Sequence, residues 1–201
     1  MRQTTGTHAT RGEGSPKSAP EAASAADAAV ARGFVHVYTG EGKGKTTAAF
    51  GLALRASGHG RRVYVGQFMK GSPYGEAAAL AGNPLIVVEQ FGDSRYVRRD
   101  EVSAVHRAHA AEGFARALAA LESQGYDVVV LDELDVAVWS GLLTEGQCVE
   151  LIEARRPGVE LVITGRSAPR AVVERADLVT EMREVKHYYR RGVQARAGIE
   201  F

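Results

Sequence analysis

The sequence predicts an α/β domain whose mostly parallel central sheet is covered by helices on both faces. Three observations carry that prediction. Apolar strand segments alternate with helical segments along most of the chain. A glycine-rich loop separates the first strand from the helix after it. A later strand, Tyr126-Asp127-Val128-Val129-Val130-Leu131, is apolar on both faces, as a central parallel strand is. With 201 residues, 45% of them hydrophobic, the chain suffices for one such domain and its core.

The elements follow in order. Residues 1–19 are rich in Thr, Gly, Ser and Pro and offer little to bury, so a disordered tail is expected there. Alanine dominates residues 20–32, which predicts a short helix or arm. The domain proper is expected over residues 33–201. Gly33-Phe34-Val35-His36-Val37-Tyr38 predicts the first strand, and residues 46–57 the first helix, stopped by Gly58-His59-Gly60. Strands are expected at 62–68 and 85–91. A long helix follows over about 100–124, with Val102, Val105, His109, Phe114 and Leu118 near one face. After the fourth strand, Thr144 starts a helix with Gln147 placed for a capping box. A fifth strand is expected at 159–164, a short helix at 169–176 with Pro169 in its first turn, and a sixth strand at 178–184.

A net charge of +1 advertises neither a nucleic-acid nor a membrane-surface partner. The single cysteine, Cys148, rules out an intrachain disulfide and suits a reducing compartment. No apolar run is long enough for a bilayer, and residues 1–19 lack the apolar core of a secretory signal. The cytoplasm is the expected location.

Thr39-Gly40-Glu41-Gly42-Lys43-Gly44-Lys45-Thr46-Thr47 carries the strongest chemical signal. Between a strand and a helix it forms a phosphate loop. Glycines let the backbone turn its N–H groups inward, and the helix start adds its positive dipole end. Lys45 supplies a full charge to phosphates, and Thr46 a hydroxyl to Mg²⁺. Thr39 stands where the common pattern has its first glycine, and Gly40 comes one residue late. The loop is therefore tighter than the common form.

Asp132-Glu133 closes the fourth strand at the end where open α/β sheets bind ligands. Consecutive strand residues face opposite ways, so the two carboxylates need not share a role. Metal handling is expected of the pair. Asp135 is expected to cap the short helix that follows. Arg166, after the fifth strand, suits either a nucleotide phosphate or a local ion pair. His106 and His109 are three apart on the long helix, and a solvated or packing role is expected for both. Arg98-Arg99 and Arg190-Arg191 read as solvated faces. Loop and acidic pair alone say only that the chain is a P-loop nucleotide binder, which leaves open an ATP-hydrolysing or phosphoryl-transferring enzyme and a nucleotide sensor.

The wider sequence narrows this. Gly40-Glu41-Gly42-Lys43-Gly44-Lys45-Thr46-Thr47-Ala48-Ala49-Phe50-Gly51, then Arg55-Ala56-Ser57-Gly58-His59-Gly60, resembles the start of the cob(I)alamin adenosyltransferases of the CobA/BtuR/CobO type. Gln67-Phe68-Met69-Lys70-Gly71, Leu131-Asp132-Glu133-Leu134, Ile163-Thr164-Gly165-Arg166, Val185-Lys186-His187, Gly192-Val193-Gln194-Ala195 and Gly198-Ile199-Glu200-Phe201 extend the resemblance to residue 201.

The resemblance implies a RecA-like fold, a homodimer, and ATP as adenosyl donor with Mg²⁺, or Mn²⁺ in its place. The acceptor it implies is a corrinoid: cobalamin, cobinamide or cobyrinic acid a,c-diamide. A flavin-dependent reductant is the implied partner. Residue by residue, Gly40, Glu41, Gly42, Lys43, Gly44, Lys45, Thr46 and Thr47 would embrace the triphosphate. Thr46 and Glu133, with Asp132 beside them, would stand at the metal. Arg55 would lie near the nucleotide. The family places Phe and Trp two positions apart after the third strand, to displace the lower axial ligand of cobalt. Here Phe91 matches the first, Gly92-Asp93-Ser94-Arg95 follows, and the one Trp is Trp139, so Tyr96 is a candidate for the missing part. A core role for Phe91 at the strand's end remains open.

Overall fold

β-Branched residues write the sheet. The computed structural model describes residues 32–72, 74–93 and 99–201. Among them are six strands: β1 (Val35–Thr39), β2 (Val63–Phe68), β3 (Ile86–Phe91), β4 (Val128–Asp132), β5 (Glu160–Thr164) and β6 (Leu178–Glu181). They form one sheet of order β3-β2-β4-β5-β1-β6. Each pairing within it is parallel. The expected tail and arm, and Tyr96, lie outside the described residues.

Alternation along the strands divides the core. Val128 and Val130 of β4 join Val63, Val65 and Val162 on one face, against Ala49, Phe50 and Ala53 of α1 (Lys45–Gly58). Val129 and Leu131 join Val37, Phe68, Leu161 and Ile163 on the other. That face is covered by α3 (Ala104–Glu122), α4 (Leu134–Trp139), α5 (Glu145–Ala154) and α6 (Arg170–Val173). A short α2 (Gly75–Leu80), not expected from the sequence, lies between β2 and β3 and buries Leu80.

Local signals set most boundaries. Thr144 and Gln147 make the expected reciprocal capping box at α5. Ser103 caps α3, and His106 takes the place of the glutamate or glutamine in that box. The long helix therefore starts at Ala104, after a separate 3₁₀ turn at Arg99–Glu101.

Two expectations need correction. The buried stripe of α3 is Ala110, Gly113, Ala117, Ala120 and Leu121, whereas Val105 is 57% exposed. A Cβ on Gly113 would stand 2.8 Å from the Phe68 ring and 2.9 Å from the Phe91 ring. Large strand side chains thus demand small residues at the centre of the stripe, while Phe114 and Leu118 pack partly buried along its edge and Val105 faces away. The sixth strand ends at Glu181 rather than 184, because Met182 turns under the phosphate loop. Its N–H donates to Thr39 O at 2.8 Å, and its carbonyl accepts from Gly42 N at 2.6 Å.

Candidate active site

The phosphate loop leaves β1 at Thr39 and enters α1 at Lys45, with Gly44 as N-cap at φ 117°. A Cβ on Gly40 or Gly42 would meet Met182 O at 2.5 or 2.7 Å. The glycines let the loop lie flat on the segment after β6. Across this small ring, Lys45 Nζ donates to Gly40 O at 2.7 Å and Gly42 O at 2.8 Å. Burial lowers the Lys45 pKa, partly opposed by the charge of Glu133. The helix start leaves N–H groups directed at the cleft, a ready anion site.

The acidic pair divides because β4 ends at Asp132, not by alternation along a continuing strand. Asp132 is fully buried and accepts four hydrogen bonds: from Thr46 Oγ1 at 2.9 Å, Thr164 Oγ1 at 2.7 Å, Gln67 Nε2 at 3.0 Å and Lys70 Nζ at 2.8 Å. Burial alone would raise its pKa. The Lys70 charge and these hydrogen bonds outweigh that and hold the carboxyl below the ordinary aspartate range. Glu133 adopts φ 61°, rare outside glycine, and its N–H donates to Thr164 Oγ1 at 3.0 Å. The turn breaks the strand and brings Glu133 to the cleft wall. Burial first, then the Asp132 charge, raises the Glu133 pKa.

A cleft of about 780 Å³ opens above these groups. Of the residues singled out in the sequence, Glu41, Gly42, Lys43, Gly44, Lys45, Thr46, Thr47, Glu133 and Arg166 line it, while Gly40 and Asp132 do not. Arg166 pairs with Glu41 at 2.9 Å, so the local ion pair is the bond it makes, at the same rim a phosphate would reach. Lys43 is not aimed at the loop amides: its ammonium bonds Ile199 O at 2.6 Å and Glu200.

Other expected residues are not brought here. Arg55 is exposed on α1, outside the cleft lining, where its charge acts on the Tyr38 hydroxyl. Phe91 is 7% exposed and packs on Phe68 with ring centroids 6.0 Å apart. Its edge reaches only a small hollow shared with Met69, Asp93, His106 and Leu142. Trp139 is 49% exposed under the Arg99 guanidinium. Asp135 is not a cap. It lies inside the first turn of α4, fully buried, with neither carboxylate oxygen hydrogen-bonded.

The decisive comparison is with a family model. That of the ATP:corrinoid adenosyltransferases BtuR/CobO/CobP matches residues 31–201. The chain belongs to this family. Relatives agree: it is 39% identical over 174 residues to a corrinoid adenosyltransferase of Escherichia coli K12, covering 85% of this chain and 86% of that one. A corrinoid adenosyltransferase of Pseudomonas aeruginosa is 39% identical over 173 residues, 85% of this chain and 84% of its own. Corrinoid adenosyltransferase CobA of Salmonella typhimurium is 38% identical over 171 residues, 85% and 86% of the two chains.

Within this adenosyltransferase, sequence reasoning missed Lys70 and Gln67. Both lay in a quoted motif without a role. The signal was there: a lysine two residues past a buried strand, at the ligand end of the sheet, needs a partner if it is itself buried. Gln67 stands opposite Asp132 in the β2–β4 register. Thr164, at the end of β5, was likewise quoted and unassigned. No helix among the described residues is long and apolar enough to cross a membrane.

Proposed function

We propose that the cleft binds ATP with its triphosphate in the loop formed by residues 40–47 and presents the ribose C5′ to the Co(I) of a corrinoid. Co(I) supplies the electron pair of the new Co–C bond. The C5′–O bond breaks, and its pair leaves on the triphosphate, while cobalt becomes formally Co(III). A metal-centred nucleophile needs no side chain to activate it and no general base. What the protein must supply is alignment and stabilisation of the departing charge.

The observation that carries this reading is the pair of ammonium groups around Thr46. Lys45 spans the loop from Gly40 O to Gly42 O. Lys70 stands 3.4 Å from Thr46 Oγ1 and 2.8 Å from Asp132. Two cations beside the loop support a reading in which they stabilise the charge that develops on the triphosphate. Thr46 and Glu133 are hard oxygen donors of the kind Mg²⁺ or Mn²⁺ takes. Asp132, its lone pairs already occupied, would steer the Thr46 hydroxyl and Lys70 rather than ligate the metal. When bound, the metal would neutralise part of the triphosphate charge.

The same reading includes a homodimer, a flavin-dependent reductant that supplies Co(I), and a cytoplasmic location. Cobalamin, cobinamide and cobyrinic acid a,c-diamide are its three candidate acceptors. Phe91 would meet a corrinoid through the hollow beside Met69 and Leu142.

The test mixes the protein with MgATP and chemically reduced corrinoid. A light-sensitive cobalt–carbon product with equimolar free triphosphate is expected. ADP and phosphate without that product would refute the reading.

A further inference from the structure

The reaction leaves residues 196–201 without a task, yet they are closely fastened. Glu200 N donates to Arg196 O at 2.9 Å, and Gly198 N to Phe201 O at 2.7 Å, closing a tight turn. The Glu200 carboxylate is its hub. It accepts from Arg196 N at 2.7 Å, from Lys43 Nζ at 3.1 Å and from the Tyr188 hydroxyl. Lys43 Nζ also donates to Ile199 O at 2.6 Å. The Arg196 guanidinium stacks 5.0 Å from the Tyr188 ring centroid. A lysine of the phosphate loop is therefore spent on a segment 157 residues further along the chain.

This turn faces the cleft beside Tyr74 and Gly75. The phosphate end of the cleft is charged, with Lys45, Lys70, Glu133 and Arg166. Its apolar surface lies elsewhere. Ile199 and Phe201 are 55% and 50% exposed in the lining, and the Tyr74 ring, 4.8 Å from Lys70 Nζ, bridges the two regions. A triphosphate seated on the loop amides leaves its nucleoside outside the loop. A purine ring then gains most by covering half-exposed apolar side chains.

We propose that residues 196–201 are a strap forming the base-side wall of the nucleotide site, latched to the phosphate loop by Lys43 and Glu200. The inference rests on the ATP reading above and adds where the base is held. Because Lys43 belongs to the loop, the latch also ties the position of the wall to that of the triphosphate.

Calorimetric titration of the full chain with MgATP, and separately with inorganic tripolyphosphate, tests it. Truncating Ile199 and Phe201 together to alanine is expected to weaken MgATP about tenfold and tripolyphosphate by less than about twofold. Both side chains stand at the rim, so the core is untouched. Glu200→Gln keeps the shape and removes the charge. It is expected to weaken MgATP severalfold and to speed amide hydrogen exchange at residues 196–201. Unchanged MgATP affinity in the double variant, or equal losses for the two ligands, would overturn the strap. Failure of the transfer reading shows separately, as ADP release by a chain whose MgATP affinity still depends on Ile199 and Phe201.

Discussion

Two buried aspartates three residues apart show how environment, not residue type, sets a charge. Asp132 and Asp135 are both fully buried, but only Asp132 meets donors. Asp132 is held ionised by Lys70 and three neutral donors. Asp135 is pushed up to about 7, by burial first and then by Glu133. Its folded pKa is raised, so the folded chain holds that proton more tightly than the unfolded one. The cost is absent below the ordinary value of 3.8, grows as pH rises toward about 7, and is constant above. Asp135→Asn is therefore expected to raise Tm by about 5 °C at pH 8 and by almost nothing near pH 4. Scanning calorimetry across that range checks it, and an equal shift at both ends would mean that the carboxyl is not neutralised. Nothing local in Leu131-Asp132-Glu133-Leu134-Asp135 distinguishes the two aspartates; Lys70 reaches one and not the other.

At the scale of elements, α3 carries the clearest lesson. Counting apolar residues at helical spacing picks out Val105, Phe114 and Leu118; the last two pack partly buried on the core, but the fully buried stripe is three alanines, Gly113 and Leu121, and Val105 is exposed. The partner surface decides, because Phe68 and Phe91 already fill the space between sheet and helix. Phe91 thus contributes to packing before anything else. Phe91→Ala is expected to lower unfolding free energy by roughly 3 kcal/mol, with Phe91→Leu costing less than half of that. Urea denaturation measures both. A loss under about 1 kcal/mol in the alanine variant would free the ring for a primary role at cobalt. Capping signals fared better than faces. Thr144 and Gln147 paired as the spacing required, since a capping box is closed by residues three apart and needs no tertiary partner.

Across the whole molecule, the site is assembled from the ends of several strands. Thr46 follows β1, Lys70 follows β2, Asp132 ends β4 and Thr164 ends β5. Parallel order brings these ends to one edge, and β5 stands between β1 and β4 as the bridge. A ligand gripped by all of them should stabilise the fold as a unit. Saturating MgATP, at about 100 times its Kd, is expected to raise Tm by roughly 5–10 °C. Lys45→Ala should abolish most of that rise and lower turnover by about two to three orders of magnitude, while leaving the ligand-free Tm near wild type. Thermal scans with and without nucleotide, beside a triphosphate-release assay, decide the matter. A full ligand-induced shift in Lys45→Ala would remove the loop lysine from the site.

The strands, the phosphate loop, the acidic pair and the family were all legible in the chain itself. Each is written in short-range code: a period of two, a glycine-rich turn before a helix, motifs at fixed spacing. Contacts between distant residues were settled by tertiary structure alone. Strand order joined Asp132 to Thr46 and Lys70, close packing against two phenylalanines chose the buried face of α3, and the return of residues 196–201 joined Lys43 to Ile199 and Glu200. The physical reason is common to all three. A side chain's partner depends on which elements the sheet sets side by side, and no local pattern of residues states that order.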